Sequence, residues 1–478
     1  MPIKFTLLAS NRPKPAFQRK KEANCHMRIH FIAIGGSAMH NLALAMHDGG
    51  HEVSGSDDQI LEPSKGRLHA AGILPSKDGW FPEQITEALD VIILGMHARP
   101  DNPELLRAQK LGLNVQSYPE FLFHATENQQ RVVIGGSHGK TTVTSMLLHV
   151  LHGIGKKVNY MVGAQLEGFD RMVALDDQLD MAIFEGDEYL SSPIDRRPKF
   201  FWYKPHFAIL TGIAWDHINV FPTEAEYDSQ FAKFIDTLAP NATLIWCEED
   251  EKLQKIVAER TRTDIRCIPY RTPSHQPMAN GQMRVAFDED HHIETHLVGS
   301  HNIQNLSGAR KLASILGISE ALFDAEIVGF SGAARRLESL HSTKDFQAFR
   351  DFAHAPSKLK ATTSGVKASY PDWELTAFFE LHTFSSLNKD FLPSYVDSLR
   401  DADHAVVYYD PAVLSHKNMP KLDPAFIRDC FGEVTDLEII TSFKTLEKRF
   451  DSVPRKNHVL LMMSSGWFSG LDCEFDGA

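Results

Sequence analysis

Cysteine is scarce in this chain: five residues in 478, at Cys25, Cys247, Cys267, Cys430 and Cys473, none closely spaced with another. That scatter excludes a thiolate metal cluster, a paired redox motif and a disulfide scaffold, and it suits the reduced thiols of a cytoplasmic protein. Long apolar runs are missing as well. No stretch approaches the ~20 residues that a membrane-spanning helix requires. Positive charge is not in excess, since 49 Lys and Arg face 62 Asp and Glu for a net charge of −13. Indiscriminate binding to nucleic acid or to an anionic membrane is therefore disfavoured. Histidines are numerous but lack paired metal spacing, and His291-His292 reads as surface.

The remaining composition, 43% hydrophobic and 23% charged, is that of an ordinary globular protein, and the length implies two or three domains. Residues 1–26 stand apart. They carry Lys4, Arg12, Lys14, Arg19, Lys20 and Lys21 around one short apolar stretch. Neither the order of charges and apolar residues nor a cleavage site fits a secretory signal, so we read a flexible extension before a fold that starts near Met27.

From Met27 onward, short apolar runs alternate with amphipathic stretches. Arg28 to Ile34 predicts a strand, Gly35-Gly36-Ser37 a turn, and Met39 to Met46 a helix. A second strand follows at Glu52 to Ser56, ending at Asp57-Asp58. Further strands are expected at 91–94 and 115–117. Strand, glycine turn, helix, strand and acidic residue is the layout of a nucleotide-binding α/β unit. The full G-x-G-x-x-G fingerprint is absent, and a simple strand-to-helix turn explains these residues equally well.

A stronger signal comes next. Arg131 to Ile134 predicts a strand that runs into Gly135-Gly136-Ser137-His138-Gly139-Lys140-Thr141-Thr142, with an apolar helical pattern from Val143 to Leu151. Glycines let backbone N–H groups curl around phosphate oxygens, and the helix start adds positive potential. Lys140 supplies a point charge for the terminal phosphates, while the Thr141 hydroxyl suits Mg²⁺. The loop is one residue shorter than the common G-x-x-x-x-G-K-[ST], because Ile134 stands where the first glycine would be.

Two apolar strands deliver oxygen and nitrogen ligands that can converge on this loop. Met181 to Phe184 leads into Glu185-Gly186-Asp187-Glu188, and Phe207 to Ile213 leads toward Asp216-His217. Ligands of parallel α/β sheets gather beyond the carboxyl ends of strands. We therefore expect Glu185 and Thr141 at one cation and His217 at a second, rather than solvated loop side chains.

Taken in order, G-S-H-G-K-T-T, E-G-D-E, D-H, Gly299 to Asn305 (GSHNIQN), Arg335-Arg336 and Asp351 to Pro356 (DFAHAP) resemble the Mur ligases over nearly all of the chain from Met27. The resemblance implies an α/β protein of three domains. These are a Rossmann-like UDP-binding domain at 27–128, a central phosphate-loop ATPase sheet at 129–330 and a Rossmann-like ligase domain at 331–478. It also implies a two-step reaction, in which ATP phosphorylates the carboxylate of a UDP-sugar and an amine attacks the acyl phosphate. Carried over by position, Gly136, Ser137, His138, Gly139, Lys140, Thr141 and Thr142 would hold ATP. Asn302 would contact adenine, Arg336 the phosphates and Asp351 the nucleotide. Lys140, Glu185, His217 and Arg336 form the implied catalytic set, with Thr141, Glu185 and His217 on Mg²⁺. Gly35, Gly36, Ser37, Asp57 and His97 would contact the UDP substrate.

Several Mur ligases carry a lysine, modified to a carbamate, in the segment after D-H. Phe231 occupies that position here, which resembles the branches acting on UDP-N-acetylmuramate itself. Between those, the segment Glu188 to Phe200 is similar to murein peptide ligases, which attach the tripeptide L-alanyl-γ-D-glutamyl-meso-diaminopimelate. The alternative acceptor is L-alanine. Arg196-Arg197 reads as a solvated basic turn, and Glu380 to Ser386 (ELHTFSS) either adjoins the amine substrate or is a polar loop. A phosphate-loop ATPase that performs conformational work stays open as a different class, although its usual longer loop is absent.

Overall fold

The computed structural model describes residues 26–278, 282–330, 332–473 and 475, so most of the expected N-terminal extension lies outside the described residues. The chain separates into two compact units. One holds residues up to Asn128 with Val173–Gln178 and Leu190–Arg197, and the other holds the remainder.

In the first unit, strands β1 (Arg28–Ile32), β2 (Glu52–Ser56), β3 (Val91–Leu94) and β4 (Val115–Ser117) form a sheet in the order β2-β1-β3-β4, parallel throughout. Runs such as VIIL are continuous rather than alternating because a parallel sheet is covered on both faces. Helix α1 (Ser37–Asp48) buries Leu42, Leu44 and Met46, while Leu105 and Ala108 pack with Ile32, Ile92 and Leu94. β1 is shorter than its apolar run predicts. Ala33 turns out of the strand at φ 69°, and Ala33 and Ile34 both donate their N–H to Ser56 O.

The second unit contains two large sheets. In the first, β5 (Gln130–Gly135), β6 (Asn159–Met161), β7 (Met181–Gly186), β8 (Phe207–Leu210), β9 (Thr243–Cys247) and β10 (Arg266–Tyr270) lie parallel in the order β10-β9-β8-β5-β7-β6. Helix α2 (Lys140–Gly153) follows β5 and buries Val143, Met146, Leu147, Val150 and Leu151, the apolar face expected from the sequence. β8 stops at Leu210 rather than Ile213, since Gly212 adopts φ 148° and the chain leaves the sheet there. Helix α3 (Glu224–Thr237) begins at Thr223, whose side chain makes a reciprocal capping box with Glu226. A small antiparallel sheet of 274–277, 283–286 and 292–295 precedes helix α4 (Ser300–Ile315).

The other large sheet has the order β11-β12-β16-β13-β14-β15, where β11 is Glu338–Ser342, β12 Phe346–Asp351, β13 Glu374–Glu380, β14 His404–Tyr408, β15 Leu437–Ile440 and β16 His458–Met463. Only β11 is antiparallel to its neighbour. Helix α5 (Pro356–Ser369) follows β12 with proline in its first turn, where the missing N–H costs nothing. A core of Leu359, Leu375, Phe379, Leu399, Val407 and Leu461 fills one face of this sheet.

Candidate active site

β5 lies between β7 and β8, so the loop after Gly135 opens where the strand order reverses. Crevices for ligands form at such points. The loop needs its glycines. Gly136 and Gly139 sit at φ 132° and 76°, and a Cβ would stand 2.2 Å from Thr211 Oγ1 or 2.3 Å from Asn305 Oδ1 respectively. Ser137 shares a hydrogen bond of 2.7 Å with the Tyr227 hydroxyl and accepts Ala214 N–H at 2.9 Å.

Two residues at the start of α2 meet partners from other elements. Lys140 Nζ donates to Gly136 O at 2.5 Å and to Glu188 Oε2 at 2.7 Å. Thr141 Oγ1 donates to Glu185 Oε1 at 2.9 Å and accepts from Arg336 Nη2 at 3.2 Å. The second Glu185 oxygen accepts Gly163 N–H at 2.7 Å. Sheet register explains the approach: Glu185 pairs with Ile134 and Gly186 with Gly135, which sets the carboxylate beside the loop.

One cleft is lined by Ser137, His138, Gly139, Lys140, Thr141, Thr142, Glu185, Asn302, Arg336 and Asp351, so the expected ATP residues other than Gly136 face a single space. Gly136 lies in the loop itself. Asn302 also donates its amide to Val298 O at 2.9 Å. Asp351, at the end of β12, accepts Leu337 N–H at 2.6 Å and Ala353 N–H at 2.7 Å. The Arg336 guanidinium lies over the Phe352 ring, 4.8 Å from its centroid.

His217 does not line this cleft. It adopts φ 56° and places Nε2 3.6 Å from Glu188 Oε1. Asp187, Glu188 and His217 offer donor atoms within 4.8 Å of one another. The expected second cation ligand thus has two carboxylate companions from the E-G-D-E segment, for which the sequence alone implies no cation role. Glu188 is also bonded by the Tyr227 hydroxyl at 2.8 Å.

These charges act on one another. Burial alone would depress the Lys140 ammonium, but the Glu188, Asp187 and Glu185 carboxylates reverse this and hold it above the ordinary lysine range. Burial likewise works against Asp187 ionisation, yet Lys199, Lys140 and His217 keep its carboxyl well below the usual carboxylate range. His138 is pushed down to about 4 by burial and then by Lys358 and Lys140, so the loop imidazole is neutral at pH 7.

The expected UDP contacts fall in the first unit. Asp57 Oδ2 accepts Gly35 N–H at 2.8 Å and so closes the turn that Gly36 and Ser37 continue into α1. Burial, and then Asp58, raise the Asp57 carboxyl to about 6. His97 is exposed in the turn after β3. Arg197 is tied to Asp195 by two bonds of 2.9 Å, consistent with a basic turn. Glu380 is buried and accepts from Ser464 Oγ and Phe468 N, and Thr383 Oγ1 accepts Ser386 N–H at 3.0 Å. Internal contacts therefore account for much of the ELHTFSS segment.

A phosphate loop at a strand-order reversal, faced by a carboxylate and an arginine, is the layout of an α/β enzyme that uses a nucleoside triphosphate. Known proteins make this specific. The Mur ligase middle domain matches residues 134–313, and the Mur ligase family catalytic domain matches residues 28–130. A UDP-N-acetylmuramate–L-alanine ligase of Lactiplantibacillus plantarum is 31% identical over 388 residues, which is 78% of this chain and 83% of that protein. Among solved structures, a UDP-N-acetylmuramate–alanine ligase from Thermotoga maritima aligns with a TM-score of 0.70 at 19% identity, over 93% of this chain and 97% of that one. A murein peptide ligase from Psychrobacter arcticus aligns with a TM-score of 0.64 at 23% identity and the same coverage. The chain belongs to the Mur ligase family. It is an ATP-dependent, ADP-forming amide ligase of peptidoglycan assembly with the three-domain α/β fold of these neighbours.

Proposed function

We propose that this enzyme joins the carboxylate of UDP-N-acetylmuramate to the amine of L-alanine through an acyl phosphate. The observation that carries the chemistry is the meeting of Lys140, Thr141, Glu185 and Arg336 in one cleft. The names of the curated relatives support L-alanine as the acceptor. They favour it over the tripeptide that the segment Glu188 to Phe200 suggests.

In this reading, Gly136 to Thr142 cradle the phosphates, Lys140 and Arg336 neutralise charge on the transferring group, and Asn302 and Asp351 hold the nucleoside. The donor set fits Mg²⁺. Thr141 with Glu185 would hold one ion, and His217 with Glu188 and Asp187 a second. Bound there, the ions would offset negative charge on the phosphates. Gly35, Gly36, Ser37, Asp57 and His97 would bind the UDP end, in a domain of residues 27–128, with 129–330 and 331–478 as the ATPase and acceptor domains. Among the described residues no helix is long and apolar enough to cross a membrane, and we place the enzyme in the cytoplasm, where ATP is at hand.

ADP release with UDP-N-acetylmuramate and Mg²⁺ tests the reading. Release that depends on L-alanine is expected. Release that depends on the tripeptide and ignores L-alanine would select the tripeptide ligase. ADP release indifferent to every UDP-sugar and amine would point instead to an ATPase that performs conformational work.

A further inference from the structure

His217 lies in the long connection between β8 and α3, and its neighbours Trp215, Asp216 and Ile218 all meet residues packed on, or following, the strands of the C-terminal sheet. The Trp215 ring meets Phe391 edge-on, with centroids 6.0 Å apart at 82°. Ile218 packs against the core that contains Leu375, Phe379 and Phe391. Between them, Asp216 is 4% exposed. One of its oxygens accepts the His217 N–H at 2.7 Å, and the other lies 3.3 Å from Lys358 Nζ and 3.8 Å from His354 Nε2. His354 lies three residues beyond the β12 end, and Lys358 is the third residue of α5.

This arrangement has a mechanical reading. His217 is a non-glycine residue in the left-handed region, a conformation that persists only when its surroundings over-determine it. Here the surroundings are the contacts on either side of it. We propose that Lys358 is a positioning residue: through Asp216 it fixes loop 215–218 so that His217 faces Glu188 and Asp187. The side chain that completes the second cation site is thereby held from the first turn of α5.

Lys358 also lines the cleft beside His138, so direct contact with the triphosphate is the competing role. Charge balance favours the positioning role. Lys358 neutralises a carboxylate whose side chain is 6% exposed, and moving its ammonium to a phosphate would leave Asp216 buried with a weaker partner. The inference rests on the proposed cation role of His217, and the test separates the two.

Mn²⁺ binding to the full chain, read by electron paramagnetic resonance with a non-hydrolysable ATP analogue present, is compared among variants. Lys358→Met keeps the apolar stem and loses the charge. It is expected to weaken Mn²⁺ binding at least about tenfold, the usual effect of losing a group that orients a metal ligand. Metal-free analogue binding should stay near the wild-type value, and Lys358→Arg should recover most of the Mn²⁺ affinity. Asp216→Asn should reproduce the Lys358→Met defect, and the double variant should be no worse than either single one, because both break the same link. If Lys358→Met does not fold, the arginine and Asp216→Asn variants decide. Loss of analogue binding with unchanged Mn²⁺ affinity would overturn the proposal in favour of a phosphate ligand. Unchanged Mn²⁺ affinity in all variants would also overturn it while leaving the active-site reading intact, whereas a wild-type protein that binds no Mn²⁺ would remove both.

Discussion

Lys140 and Glu188 form an ion pair of 2.7 Å whose side chains are 13% and 1% exposed. The lysine that should meet a triphosphate is thus already matched by a buried carboxylate. That carboxylate is in turn shared with Tyr227 and His217. In the proposed reading an incoming phosphate competes with Glu188 for the ammonium, and a cation beside Glu188 would ease the exchange.

Lys140→Ala is expected to lower ADP release by at least about a hundredfold, the scale found for removing one preorganised charge partner. UDP-N-acetylmuramate binding should persist, because the residues proposed to bind it, Gly35 and Asp57 among them, belong to the other unit. The variant should also lose on the order of 3 kcal/mol of stability, since Glu188 keeps its burial without its cation. Turnover assays, calorimetric binding of the UDP-sugar and denaturant melts check the three parts.

Glu188→Gln preserves size while removing charge. Turnover should fall and the Mg²⁺ needed for half-maximal rate should rise by about tenfold or more, as for loss of a group at a metal site. A Mg²⁺ titration with the unchanged rate and midpoint of the wild-type enzyme would dismiss Glu188 as a cation ligand.

Gly139→Ala must place a side chain at φ 76° and 2.3 Å from Asn305 Oδ1. Forcing that backbone conformation on alanine costs roughly 1–3 kcal/mol, and the loop will open to relieve the contact. Equilibrium dialysis with an ATP analogue should show binding weakened by about tenfold or more, at ~1.4 kcal/mol per decade, while circular dichroism stays native.

Asp57 supplies the pH dependence. Its carboxyl is raised from 3.8 to about 6, chiefly by burial, so the folded state holds this proton more tightly than the unfolded chain. The stabilisation is fully present below about pH 4 and lost as pH rises through about 6, on the order of 3 kcal/mol in all. Asp57→Asn should flatten that part of the profile. Urea unfolding of both proteins at pH 4.5 and 7.5 measures the difference, and parallel profiles would show that Asp57 does not titrate in this window.

Much of the fold was readable because its signals are local. Apolar runs marked the four strands of the first sheet and β5, β7 and β8 of the second, and G-S-H-G-K-T-T states its backbone demands outright at Gly136 and Gly139. The N-terminal glycine turn was weaker, because Gly35 and Gly36 serve a plain strand-to-helix turn equally well. The expected approach of Glu185 to Thr141 is delivered by the alignment of β7 with β5. What escaped the sequence depends on distance. Lys358 finds Asp216 across 142 residues, and no spacing rule anticipates such a pair. The role of Glu188 is not legible in the sequence, because a residue just beyond a strand end does not announce which way it points. The ends of β1 and β8 were overestimated for a related reason: apolar residues continue past Ile32 and Leu210, while backbone turns at Ala33 and Gly212 end the pairing.

Phe231 lies fully buried, its ring edge-on to Tyr227 at 5.4 Å and to Phe200 at 5.8 Å. No amine stands at that point to capture dissolved CO₂. The enzyme will therefore keep its full rate in degassed, bicarbonate-free buffer, where a relative that depends on a carboxylated lysine would slow.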